Sequence, residues 1–169
     1  VSDEGEPGFV CDSPEVPPEN TVTKALRLMK ELVEVHPLRI ELLKRIPSQA
    51  GLGGGSSDAA GLMRAVMKLT GADIPWGQTG TVAAAVGADV PFFLVGGTAR
   101  AEGYGEAITP LPDADSEWLL ILQPKCRVST AEAYRALDAK PREWRSFSHA
   151  SESYNDFERV APCECLEWI

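Results

Sequence analysis

From Asn20 onward the apolar positions fall into helical order. Val22, Ala25, Leu26, Met29, Leu32 and Val33 keep the i, i+3, i+4, i+7 spacing of one buried stripe, and Asn20 stands where an N-cap belongs. Leu38-Arg39-Ile40-Glu41-Leu42 then alternates apolar and polar as a half-buried strand does, continuing toward Lys44, Arg45 and Ile46 and running into Pro47. A second helical pattern passes through Ala59, Ala60, Leu62, Met63, Val66, Met67 and Leu69 and closes at Gly71. A third, weakened by Gly77 and Gly80, spans 76–86 and ends near Gly87. Beyond Pro91 the runs are short and punctuated by glycine, which predicts strands at 92–95, 98–102, 107–111 and 118–123. One more helix is expected at 130–137. The first nineteen residues, rich in acids and in Pro7, Pro14, Pro17 and Pro18, read as an exposed lead-in.

Composition narrows what such a chain does. With 169 residues, 44% of them hydrophobic, there is material for a folded body with a core. A net charge of -9 opposes non-specific attachment to nucleic acid or to an anionic membrane, so any phosphate ligand needs a local anion site. No apolar run reaches membrane-spanning length, and the first residues are acidic where a secretory signal would be basic and then apolar. Cys11, Cys126, Cys163 and Cys165 form neither a C-x-x-C pair nor a zinc pattern and read as reduced thiols of a cytoplasmic protein. His36 and His149 have no companion ligand or nucleophile nearby in sequence and are taken as structural.

The densest chemistry lies in Pro47-Ser48-Gln49-Ala50-Gly51-Leu52-Gly53-Gly54-Gly55-Ser56-Ser57-Asp58. So many glycines are costly in conformational entropy, which a simple turn would not require. Glycines let successive N–H groups line one concavity, and a helix starting near Ser57 adds its own unpaired amides and positive end. That arrangement cradles phosphate. It is not a Walker A loop, because no Lys-Ser or Lys-Thr follows, and no register gives G-x-G-x-x-G. A strand-to-helix turn capped by a serine, with no ligand, is the competing reading.

Pro-x-x-Ala-Gly-Leu-Gly-Gly-Gly-Ser-Ser-Asp-Ala-Ala resembles the ATP-binding motif of GHMP kinases, in which the loop wraps the triphosphate. The triple glycine, Gly87-Ala88-Asp89-Val90-Pro91-Phe92-Phe93 and Gly96-Gly97-Thr98-Ala99 are similar, within that superfamily, to the diphosphocytidyl-methylerythritol kinases. Asp12-x-Pro14-x-Val16-Pro17, Lys44-Arg45-Ile46-Pro47, Gly105-Glu106 with Thr109-Pro110-Leu111, and Ser153-Tyr154-Asn155-Asp156-Phe157-Glu158 follow in the same order.

The resemblance implies a two-lobed α+β fold with an N-terminal lobe like domain 2 of ribosomal protein S5. It sets an ATP-binding lobe at 1–111 and the start of a substrate-side lobe at 112–169. It further implies transfer of the γ-phosphoryl of ATP, with Mg²⁺, to the 2-hydroxyl of a diphosphocytidyl-methylerythritol. Asp89 would be the catalytic carboxylate and would also meet the substrate. Pro47, Ala50, Gly51, Leu52, Gly53, Gly54, Gly55, Ser56 and Ser57 would bind ATP, the hydroxyls of Ser56 or Ser57 reaching the metal, whose other ligands are not identified. Asn20 and Lys44 would contact the adenosine part, their plainer roles being a helix cap and a solvated charge. Tyr134 would stack on cytosine, unless it is a core tyrosine. The family's opening strand with its Ala-Lys-(Ile/Leu)-Asn-like motif and its closing Gly-Ser-Gly-like motif are not found, so an incomplete chain is expected. Two other readings remain open: a GHMP kinase acting on homoserine or mevalonate, and a non-catalytic nucleotide-binding module.

Overall fold

The computed structural model describes residues 1–48, 50–113, 115, 118–121, 129–140 and 155–160. The chain divides into two compact units, Val1–Glu117 and Trp118–Ile169. Gln49, Cys126, His149, Ser153, Tyr154, Cys163, Cys165 and the end of the strand expected at 118–123 lie outside the described residues.

In the first unit, β1 (Gly8–Cys11) and β2 (Arg39–Leu42) are parallel, with Gly8 beside Arg39 and Cys11 beside Leu42. α1 (Thr21–Met29) makes the crossover that a parallel pair requires. The asparagine before it is a full capping box: Asn20 Oδ1 accepts from the amides of Val22 and Thr23 at 2.9 and 3.1 Å, while Thr23 Oγ1 accepts from the Asn20 amide at 2.9 Å. Asn20 Nδ2 also donates to the Pro17 and Pro18 carbonyls, which ties the proline-rich approach to the helix start.

α2 (Gly54–Thr70) is followed by α3 (Trp76–Val86) and by the short α4 (Val90–Val95). β3 (Thr98–Glu102) and β4 (Ala107–Leu111) then form an antiparallel hairpin. The core is built by Val22, Ala25 and Met29 of α1, Ile40 of β2, Ala59, Leu62, Met63 and Val66 of α2, Ala83 and Val86 of α3, and Val90. Two cations close helix ends, where unpaired carbonyls and the negative pole of the dipole gather. Lys24 Nζ donates to the Val86 carbonyl at 3.2 Å, and Arg64 Nη2 donates to the Leu94 carbonyl at 2.6 Å.

Several expectations are corrected. The lead-in contains β1, a four-residue strand whose signal is weak because only Phe9 packs on the core and Val10 stays exposed. Residues 92–95 belong to α4 and not to a strand. A short apolar run has no decisive periodicity, and here Pro91 sits in the first turn, where it is accommodated, with Val90 and Pro91 buried. α2 begins at Gly54, three residues before Ser57, because Gly53 in the left-handed region (φ 66°) turns the chain into the helix without a side-chain cap. α1 ends at Met29 and β2 at Leu42, each short of the periodic pattern. Residues 118–121 form no strand; they are exposed and pair with no strand among the described residues. The helices ending at Gly71 and Gly87, the strands at 98–102 and 107–111, and the helix near 130 are as expected.

In the second unit, α5 (Thr130–Asp138) is capped by Ser129, which accepts from the Glu132 amide. A 3₁₀ turn at Asp156–Arg159 lies against it: Tyr134 and Phe157 meet edge to face at 5.0 Å, and Arg159 Nη2 donates to the Lys140 carbonyl at 2.9 Å.

Replacing Asn20 by alanine removes both halves of the capping box and is expected to cost about 1–2 kcal/mol of stability, checked by urea unfolding of the two proteins at neutral pH.

Candidate anion and phosphoryl-transfer site

The loop that follows β2 passes Pro47, Ser48, Ala50, Gly51 and Leu52 before α2 starts at Gly54. Ser57 is the first residue of the turn whose amide finds a helical carbonyl, that of Gly53 at 2.9 Å. The amides of Gly54, Gly55 and Ser56 precede it and have no intrahelical partner. No acidic residue stands in this first turn, so the positive end of a 17-residue helix is open to an anion. The glycines serve different ends. A Cβ at Gly53 would lie 2.5 Å from Phe93 Cζ, and one at Gly54 would lie 2.9 Å from Ile46 Cγ2 and 3.2 Å from Lys44 Nζ. Gly51, at φ 70°, has open space where its Cβ would be. Ser57 Oγ donates to the Gly54 carbonyl at 2.9 Å; the Ser56 hydroxyl has no partner among the described residues.

The start of α1 touches this loop. Thr21 Oγ1 donates to the Gly55 carbonyl at 2.8 Å, which brings the residue after Asn20 to the beginning of α2. Asn20 itself is committed to capping, as described above. Lys44 is no solvated surface charge. Its side chain is only 10% exposed and Nζ meets Asp58 Oδ2 at 2.6 Å.

Asp89 occupies the N-cap position of α4, is exposed, and its carboxylate makes no capping bond. Asp89 and Phe93 are four residues apart and share a face of α4, and Phe93 lies against Gly53, so that face looks onto the glycine loop. On its other side Ala88 touches Gly105 in the tip of the β3–β4 hairpin, whose backbone is pinned by a bond from the Tyr104 amide to Glu106 Oε2 at 2.7 Å. Tyr134, in the second unit, is 58% exposed and so is not a core tyrosine.

Asp12 was unassigned by sequence reasoning. It follows β1 directly and accepts from the Lys44 amide at 2.8 Å and from Arg45 Nη1 at 2.9 Å. The Lys44 amide, followed by the Arg45 guanidinium, holds its carboxyl below the usual value of 3.8. His36 is exposed, and no group of three or more His, Cys, Asp or Glu side chains fit to hold a metal occurs among the described residues. An apolar groove of about 340 Å³ between β1, α1 and β2 includes no residue of the loop.

A strand, a glycine loop, an open helix start and an exposed, uncapping carboxylate on the neighbouring short helix make up the candidate site of a domain of α+β class. Residues 20–97 match the family model of the GHMP kinases N terminal domain. A 4-diphosphocytidyl-2-C-methyl-D-erythritol kinase of Polaromonas sp. is 40% identical over 186 residues, covering 100% of this chain and 60% of that protein. The enzyme of that name from Moorella thermoacetica is 41% identical over 124 residues, 73% of this chain and 44% of its own. A crystal structure of a 4-(cytidine 5'-diphospho)-2C-methyl-D-erythritol kinase superimposes with a TM-score of 0.60 at 37% identity, over 79% of this chain and 48% of that one. The chain belongs to the GHMP kinases. It spans about half the length of the curated relatives it matches.

Gly53→Ala is expected to destabilise the protein by about 2 kcal/mol or more, combining a left-handed φ with a clash, whereas Gly51→Ala carries only the backbone term of about 1 kcal/mol; urea unfolding of both separates the two. The Asp12 tether has a pH signature. Its folded pKa is depressed, so its contribution is present above the unfolded value and is lost as pH falls through the folded one. The stability difference between the unaltered protein and Asp12→Asn should therefore be constant near neutrality and shrink as pH falls below 3.8, which unfolding at stepped acidic pH measures.

Proposed function

We propose that the protein is an ATP-dependent phosphotransferase that places the γ-phosphoryl of ATP on the 2-hydroxyl of 4-diphosphocytidyl-2-C-methyl-D-erythritol. The observation that carries this reading is Asp89: an exposed carboxylate that caps nothing, at the start of the short helix whose Phe93 lies against Gly53 of the glycine loop. The names and similarity of the relatives support the choice of acceptor.

In this reading the amides of Gly54, Gly55 and Ser56, with the loop from Pro47 through Ala50, Gly51, Leu52 and Gly53, align and neutralise the nucleotide's phosphates. The Ser56 or Ser57 hydroxyl would be the protein contact of a bound magnesium ion, which would supply further charge neutralisation on the phosphates. The acceptor oxygen attacks the γ-phosphorus in line, its proton passes to the Asp89 carboxylate, and the bond to the β-phosphate oxygen breaks to release ADP. Most of the acceleration comes from alignment, since the loose transition state asks little covalent work of the protein. Lys44 and the capped start of α1 at Asn20 border the loop and serve the nucleotide. The exposed ring of Tyr134 offers a stacking face for cytosine, a contact that gives affinity without consuming hydrogen-bond groups. Residues 1–111 are the ATP-binding lobe in this scheme and 112–169 the start of the substrate-side lobe. The free thiol of Cys11 suits the reducing cytoplasm as its compartment.

ADP formation from Mg-ATP by the intact protein should rise on adding the diphosphocytidyl alcohol, and Asp89→Asn should reduce that rate by about 10²–10⁴-fold with ADP affinity little changed. An ADP release no faster with the diphosphocytidyl alcohol than without it, or faster with homoserine or mevalonate, would refute the assignment.

A further inference from the structure

Asp58 is the fifth residue of α2, too far into the helix to accept from the free amides of the first turn. Its carboxylate goes to the Lys44 ammonium at 2.6 Å, and the two side chains are 10% and 23% exposed for Lys44 and Asp58. The other ion pairs of the first unit, Arg39–Glu41, Arg45–Asp12 and Arg100–Glu102, each keep both partners more than a third exposed. Withdrawing two charges from water has a cost that an incidental surface pair does not bear.

The place chosen for the ammonium makes the pairing more telling. Nζ lies against the backbone of Gly54, the first residue of α2, where the helix dipole is positive and disfavours a cation. Three features hold it there. Asp12 fixes the Lys44 backbone through its amide, Gly54 leaves the room that a Cβ would fill, and Asp58 provides the countercharge. An ammonium has three donors, and Asp58 takes the only one with a partner among the described residues.

We infer that Asp58 is a positioning residue for the nucleotide. It holds Lys44 beside the open turn of α2 with two donors left for the bound nucleotide, and it offsets the ammonium charge while the site is empty. It acts through Lys44 and does not itself touch the nucleotide. This rests on the nucleotide reading above and gives Asp58, which stands in the loop motif without an assigned part, a role of its own.

The test is a double-mutant cycle in the intact protein, read as KM for Mg-ATP and as Kd for Mg-ADP. Asp58→Ala should raise both by about tenfold, the scale of one lost charge-assisted hydrogen bond, with kcat at saturating ATP within about twofold. Lys44→Ala should raise KM and Kd at least as much, and the double variant should be no worse than the poorer single one. Asp58→Asn, which keeps an acceptor oxygen, should regain most of the affinity. Additive losses in the double variant, or a lowered unfolding midpoint with KM and Kd unchanged, would overturn the inference and leave a purely structural ion pair. If the unaltered protein binds Mg-ADP yet shows no turnover with the diphosphocytidyl alcohol, the proposed reaction fails while the Kd cycle still decides Asp58. Absence of nucleotide binding by the unaltered protein overturns both.

Discussion

The space above the Cα atoms of Gly53 and Gly54 is already taken, by the Phe93 ring on one side and by Ile46 and the Lys44 ammonium on the other. Everything at the site follows from that close approach. With a side chain at either position, α4 could not lean on the loop and the end of β2 could not lie along the first turn of α2. The protein interior is packed too tightly to absorb such a change without moving an element. Phe93 and Lys44 reach the same helix start only because two Cβ atoms are missing between them.

That constraint also sorts the glycines, which sequence reasoning treats as one class. A glycine run predicts that something passes close over the backbone, and for Gly53 and Gly54 the passing groups belong to the protein itself. Within the run, Gly51 combines a positive φ with open space, so its glycine answers to backbone conformation and not to a packed neighbour. The motif was therefore legible as a place of close backbone approach while its internal division of labour was not. The spacing of residues carries no record of which neighbour fills which gap.

The long elements were legible for ordinary reasons: Asn20 announces α1, Gly71 closes α2, and the apolar stripes at Val22–Met29 and Ala59–Val66 are the core itself. The failures share a cause. Phe9 and the 90–95 segment take their conformation from distant partners, and a run as short as Val90–Val95 holds too few periods to declare a helix. Asp12 and Asp58 stood in the quoted motifs without a role because a single carboxylate is uninformative until the fold sets a cation or an amide beside it. The acidic chain, at -9 overall, thus gathers its few relevant positive groups at one helix start, where geometry and not abundance makes them count.

The parallel pairing of β1 with β2 sends both strands out at the same edge, so that Asp12 emerges next to Lys44. In open α/β arrangements that carboxyl edge is where ligands gather. A one-residue slip of β1 would turn Phe9 away from the core and carry Asp12 off the Lys44 amide together. On the nucleotide reading proposed above, docking of the first dozen residues and capture of an anion some forty residues later are in this way two faces of a single equilibrium. Linkage makes the relation reciprocal: whatever factor a docked β1 contributes to ligand affinity, the ligand returns to the docking of β1.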